Sequence, residues 1–301
     1  MSAVLVEGGP DNGAIWHFGE PVKEQRALEA GKAFADLSHL PAIAISGADR
    51  LTWIHSLCTQ DVEHLQPGDW KSGYILDPQG HLEFPLLIVD DSDSLYLFTE
   101  IASAEPLITY LNSMKFMLRV EVTDASSNVA LFRAPGAADQ IGGPYALLPR
   151  AEIKSMTANF ASTAIQVGTW ALDAIRVAAG RPRFGFESDS KTIPNELGVL
   201  NIAVHMNKGC YRGQETVAKV FNLGKPPRRL TLLHLDGSGV DLPPSGSPIT
   251  LEGKTIGVLG TVARHHELGP IALALIKRSV PMDATVSAGN VLATQEEIVA
   301  Q

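Results

Sequence analysis

The run Gly224-Lys225-Pro226-Pro227 divides this chain more sharply than any other feature. Proline has no N–H, and its ring collides with the turn before it, so no helix runs through the pair. Upstream, helical and strand patterns alternate. Downstream come RRLTLLHLDG, DLPPSGSPITLEG, KTIGVLGTVARH, GPIALALIKR and ATVSAGNVLAT, short apolar runs split by turns. About 75 residues of strands at this spacing predict a small β-barrel.

The upstream part reads as α+β. AIAIS (42–46) is a strand, and GADRLTWIHSL (47–57) has apolar residues at helical spacing. GYILD (73–77), LEFPLLIVD (82–90) and LYLFT (95–99) are strands. A helix fits 101–114, and FMLRVEV (116–122) alternates as a closing strand. That order predicts a ferredoxin-like unit over 38–125. A partly similar order follows over 126–224, with a strand at VALFRA (129–134) and a helix at GTWALDAIRVAAG (168–180) that Gly180 ends. Residues 1–37 read as a lead-in, with helical spacing through Leu28, Ala30, Phe34 and Leu37. The expected organisation is this lead-in, the region 38–224, and the barrel 225–301.

The chain carries 24 Lys+Arg against 33 Asp+Glu, a net charge of −9. Such a surface repels nucleic acid and anionic membrane, so neither is an expected partner. Cys58 and Cys210 are the only cysteines, too few for a disulfide framework. MSAVLVEGGPDNGAIW lacks a basic, then apolar, leader, and IALALI (271–276) is far too short to span a membrane. The expectation is a cytoplasmic protein.

MNKGCYRGQETVAKV (206–220) breaks that acidic pattern. Between 208 and 229 stand Lys208, Arg212, Lys219, Lys225, Arg228 and Arg229, with Glu215 the one acid. Gly209 and Gly213 bracket Cys210-Tyr211-Arg212, and the residues after Gly213 read as a helix. A helix N-terminus favours anions and depresses a nearby thiol. The segment is either a solvated basic face or a site for a polyanionic small molecule.

KGCYRGQE (208–215) resembles the signature of the YgfZ family of folate-binding proteins, Lys-Gly-Cys-aromatic-x-Gly-Gln-Glu, at all eight positions. SGADRLTWIHSLCTQDV (46–62) resembles that family's first helix. ALDAIRVAAGRPRFG (171–185) resembles the Arg-x-x-Ala-Gly helix it shares with the glycine-cleavage aminomethyltransferases. The tail resembles their barrel, especially from Lys254 to Lys277. The likeness covers nearly all of 38–295. It implies two ferredoxin-like units, about 38–125 and 126–224, and a small barrel around a central folate pocket. It also implies tetrahydrofolate or a derivative as ligand, and a role supporting iron–sulfur enzymes or their assembly factors, including enzymes that modify tRNA.

The resemblance implies roles residue by residue. Glu196, in TIPNELG, aligns with the pterin-binding glutamate of the aminomethyltransferases; one carboxylate can accept two protons from a pterin edge. Cys210 is the candidate working thiol. Lys208 and Arg212 are candidates for the glutamyl tail, Tyr211 for stacking or for plugging a domain interface, and Arg176 is a secondary candidate otherwise paired with Asp173. Gly209, Gly213, Gln214 and Glu215 shape the loop. Cys58 reads as core within its helix. His265 and His266 would point to opposite faces of a strand, so no metal site is expected. His55 and His64 read as structural or surface residues.

One departure stands out. The aminomethyltransferases carry an acidic pair after a turn, in a pattern like Gly-x-x-x-Asp-Asp-Leu. Here GHLEFPLL (80–87) puts Phe84 and Pro85 there, with Glu83 one place earlier. Loss of a positioned acid costs about 10²–10⁴-fold in proton transfer. The expectation is folate binding without aminomethyl transfer. The alternatives are a one-carbon transferase acting on a small amine and a scaffold that has lost folate.

Overall fold

The computed structural model describes residues 2–239 and 241–298. The first sheet has five antiparallel strands in the order Trp70–Leu76, Leu82–Asp90, Ser94–Phe98, Ala42–Ser46, Glu121–Asp124. Helices Arg50–Leu57 and Ile101–Met114 share one core with it, in which Trp53, Ile54 and Leu107 meet Ile43, Phe84 and Ile88. Alternation along Leu82–Asp90 sends Phe84 and Ile88 into that core. Leu87 and Val89 join the core shared with the second sheet.

The second sheet runs Tyr145–Pro149, Val129–Arg133, Ala33–Asp36, Ile165–Gln166, with the last pair parallel. Its third strand comes from the segment expected as a lead-in. The expected helix through 27–37 is corrected. The helix Pro21–Glu29 ends before Gly31 (φ +67°), and Ala33, Phe34 and Ala35 are fully buried as a strand. A short apolar run fits either period, and only Gly31 marks the change. A Cβ at Gly31 would stand 3.0 Å from the backbone of Gly136 and Ala137.

The strand expected at 116–122 begins only at Glu121. Its partner Ala42–Ser46 pairs Ser46 with Glu121 and then turns away at Gly47 (φ +107°), where a Cβ would strike the Arg119 carbonyl. Residues 116–120 therefore have no strand to pair with. Phe116 and Met117 stand exposed.

Helix Gln214–Leu223 stops at Gly224 (φ +92°), just before Pro226-Pro227. Beyond it six strands close a barrel in the order Arg228–Leu235, Gly269–Lys277, Lys254–His265, Pro248–Leu251, Val286–Ala288, Val291–Glu297. Leu233, Ile249, Leu259, Ala274 and Ile276 fill its interior. Leu230, Leu232, Leu273 and Leu275, on the opposite faces of the same strands, pack against Ala174, Val177, Tyr211 and Val217. The fold is therefore α+β, with ferredoxin-like sheets and a closed C-terminal barrel. Among the described residues no helix is long and apolar enough to cross a membrane.

Candidate functional site

The two sheets and the helix Thr169–Ala178 wall a cavity of about 300 Å³. Tyr74, Pro85, Leu87, Phe98, Tyr145 and Leu172 supply apolar and aromatic surface. A second lobe of about 90 Å³ shares Ser72, Tyr74, Ile141, Arg181 and Pro182 with the first and reaches Leu197 and Val199.

Polar groups enter from five distant segments. The helix ends at Gly180 (φ +65°), where a Cβ would stand 2.7 Å from Ile298, and the chain then passes Arg181, Pro182 and Arg183 along the cavity. Arg183 donates to both oxygens of Asp11 (2.6 and 2.7 Å) and to both of Glu100 (2.9 and 2.8 Å). Asp11 sits between Gly8-Gly9 and Gly13, in the turn joining strands Val4–Leu5 and Ile15–His17, and is buried. Burial pushes its carboxyl up, but the Arg183 and His39 partners outweigh that and hold it well below the usual carboxylate range. Arg176 is fixed by Asp173, Glu187 (3.2 Å), the Arg181 carbonyl (2.7 Å) and the Thr261 hydroxyl (2.6 Å).

Arg133 and Arg181 differ from these two. Arg133 is 2% exposed and donates to the carbonyls of Ala33, Ala134, Gly136, Gly142 and Gly143. Arg181 donates from Nη1 to the Asp139 carbonyl at 3.3 Å, and its buried Nε has no partner.

Of the residues implied by the family resemblance, Arg176 alone lines this cavity among the described residues. Glu196 is 2% exposed and already paired. Arg228 donates to its two oxygens at 2.8 and 2.7 Å, and the Ile193 amide donates at 3.2 Å. The fork-to-fork contact expected from a pterin edge is supplied internally by Arg228. Its neighbour Leu197 lines the second lobe.

The KGCYRGQE loop is a clamp. Lys208 Nζ donates to the carbonyls of His55, Cys58 (2.7 Å) and Gln60 (2.9 Å), where helix Arg50–Leu57 leaves acceptors unpaired. A cation belongs at that end of a helix. Burial lowers the pKa of this amine, and its three donors are spent. Tyr211 is buried with its ring 5.3 Å from Lys208 Nζ, and burial pushes its hydroxyl up to about 12. It plugs the interface. Arg212 pairs with Glu83 at 3.1 Å and lies over the Tyr110 ring, which draws Glu83 away from the cavity. Gly213 (φ +80°) presses on the turn 77–80, where a Cβ would stand 2.6 Å from the Asp77 carbonyl. Gln214 and Glu215 open the helix, and Gly209 has open space. Cys210 is exposed.

Cys58 is core, as expected, and the reading of the histidine pair changes. Cys58 is buried just past its helix and bridges to Ile75, and burial pushes its thiol up. His265 and His266 do converge, on Glu29 at 3.2 and 2.5 Å, because the strand ends at His265. His265 Nδ1 accepts from the amides of Glu267 and Leu268, so its Nε2 carries the proton and donates to Glu29. A nitrogen in that state has no lone pair for a metal. The trio ties the barrel to helix Pro21–Glu29.

Residues 16–141 match the family model of the GCVT N-terminal domain. A chloroplastic candidate transferase of Arabidopsis thaliana is 24% identical over 99% of this chain and 77% of its own length. The aminomethyltransferase of Bacillus subtilis is 24% identical over 88% of this chain and 84% of its own. The crystal structure of glycine cleavage system aminomethyltransferase T from Bartonella henselae aligns with a TM-score of 0.81 at 17% identity, covering 99% of this chain and 95% of that one. The fold is that of the T-protein. The sequence matches support the T-protein superfamily.

The residues that sequence reasoning missed are Asp11, Glu100, Arg133, Arg181 and Arg183. The one local signal was the arginine pair in RPRFG (181–185), directly after a helix-ending glycine.

Proposed function

We propose that this protein binds tetrahydrofolate or a derivative in the cavity between its sheets, without transferring an aminomethyl group. The observation that carries the reading is the cavity itself, walled by Tyr74, Phe98 and Tyr145 and edged by Arg181 and Asp173. About 300 Å³ suits the ring system of such a ligand, and the second lobe extends the space beside it. Tetrahydrofolate supplies one-carbon chemistry at its ring nitrogens. The chain supplies apolar faces for the ring, and Asp173 offers a carboxylate oxygen beside Arg176.

The same wall argues against transfer. Where the aminomethyltransferase pattern has its acidic pair, Phe84 is packed in the first core and Pro85 presents hydrocarbon to the cavity. Glu83 is tied to Arg212. Asp11, held far below the usual range, is too weak a base to take a proton near neutral pH.

The accessory role toward iron–sulfur enzymes, and membership of the YgfZ family, rest on KGCYRGQE and on Cys210, the exposed thiol of that loop. Two arms test the reading. Tetrahydrofolate titrated into purified protein should bind with 1:1 stoichiometry and give no turnover of aminomethylated amines. Cells carrying Cys210→Ala should lose iron–sulfur enzyme activity while the purified variant keeps its folate affinity. No folate binding overturns the reading, and unchanged enzyme activity in the Cys210→Ala cells removes the accessory role.

A further inference from the structure

Four arginines line the cavity, and they are not alike. Arg183 faces Asp11 and Glu100, and Arg176 faces Asp173 and Glu187, so each has two carboxylates. Arg133 and Arg181 have no carboxylate within ion-pair distance among the described residues. Arg133 spends its five donors on backbone carbonyls, which satisfies its hydrogen bonds and leaves its charge unmatched. Arg181 makes one long bond to the Asp139 carbonyl. Its Nε is buried without a partner, and its Nη2 makes no hydrogen bond among the described residues. The nearest acid, Asp139, directs Oδ1 to the amides of Ile141, Gly142 and Gly143 instead. Burial holds both guanidiniums below the usual arginine range.

A half-buried guanidinium with no carboxylate beside it and a buried Nε without a partner is costly, and a stable fold has no need of one here. Position gives it a use, since Arg181 lines both lobes at their junction. We propose that this junction is a carboxylate subsite, in which Arg181 reads an acidic group of the bound ligand and Arg133 lends a second positive charge from behind. The ligand class is then a flat heterocycle for the first lobe that carries a carboxylic acid on an arm. This rests on the folate reading of the cavity and adds to it the residue that selects the acid. The unmatched nitrogens form the guanidinium edge that carboxylates engage in two-point contacts. Occluded now, Nε becomes available through a small rotation of a side chain that a single bond holds.

The test uses full-length protein, wild type, Arg181→Met and Arg181→Lys, titrated with tetrahydrofolate and with 6-methyltetrahydropterin, which has the ring and no carboxylate. Arg181→Met should weaken tetrahydrofolate by about 10-fold or more, the scale of a lost charge-assisted contact. It should leave the pterin unchanged, and Arg181→Lys should fall between. The ligand-free Arg181→Met protein should melt no lower than wild type, because a half-buried charge with no carboxylate partner, and its unsatisfied Nε, have been removed. A ring that fails to bind wild type where tetrahydrofolate binds also supports the subsite. Unchanged tetrahydrofolate affinity in Arg181→Met overturns it, as does an equal loss for both ligands or a lower melting temperature. If wild type binds neither ligand, the folate reading falls and takes this subsite with it.

Discussion

The KGCYRGQE loop and the arginine-lined cavity are both cationic, and they use their charge in opposite ways. Lys208 spends its three donors on the backbone of 55–60, and Arg212 is matched by Glu83. In the cavity, Arg181 keeps nitrogens without partners. A satisfied cation is structure, since nothing is left over to greet a ligand. An unsatisfied one at a cavity wall is a receptor held at a cost to the fold. The most recognisable motif in the sequence therefore builds the frame and presents one exposed thiol. The cavity wall draws on one recognisable segment, ALDAIRVAAGRPRFG, and otherwise on residues that no motif joins.

The largest expected effect comes from the loop. Lys208→Met leaves three carbonyls without a donor and removes the tie between the loop and helix Arg50–Leu57. It should lower stability by about 2–4 kcal/mol, read by chemical denaturation. A loss under about 0.5 kcal/mol would show that the clamp is ornamental and would return Lys208 to the list of ligand contacts.

The next effect lies across the cavity and depends on pH. The Asp11 carboxyl is depressed in the folded protein relative to the unfolded chain, so its contribution is present above about pH 4. It is lost as pH falls through the folded value. Asp11→Asn should cost about 1–2 kcal/mol near neutral pH, and the gap to wild type should close on acidification below about pH 4. Asp189, likewise depressed by Arg228 against burial, stays in both proteins and cancels in the difference. A gap that stays constant down to pH 2 would mean that Asp11 is held by shape and not by charge.

What the sequence revealed follows the range of each interaction. Strand Leu82–Asp90, helix Ile101–Met114, the stop at Gly224 and the barrel after Pro226-Pro227 are local patterns, and the structure reproduces them. The strand Ala33–Asp36 was hidden because its short apolar run, three buried residues, fits two periods. The turn at 116–120 was hidden because only Gly47, seventy residues away, ends the pairing. Lys208 was legible as a cation, but its partners 148–153 residues away were not. Asp11 and Arg183 are 172 residues apart, and no spacing rule joins them.

The contrast between frame and receptor is tested most directly by amide hydrogen exchange with and without saturating tetrahydrofolate. If that contrast holds, exchange slows along 133–145 and 172–184, which wall the cavity, with rates at 208–215 unchanged. Slowed exchange confined to 208–215, with the cavity walls untouched, would contradict it.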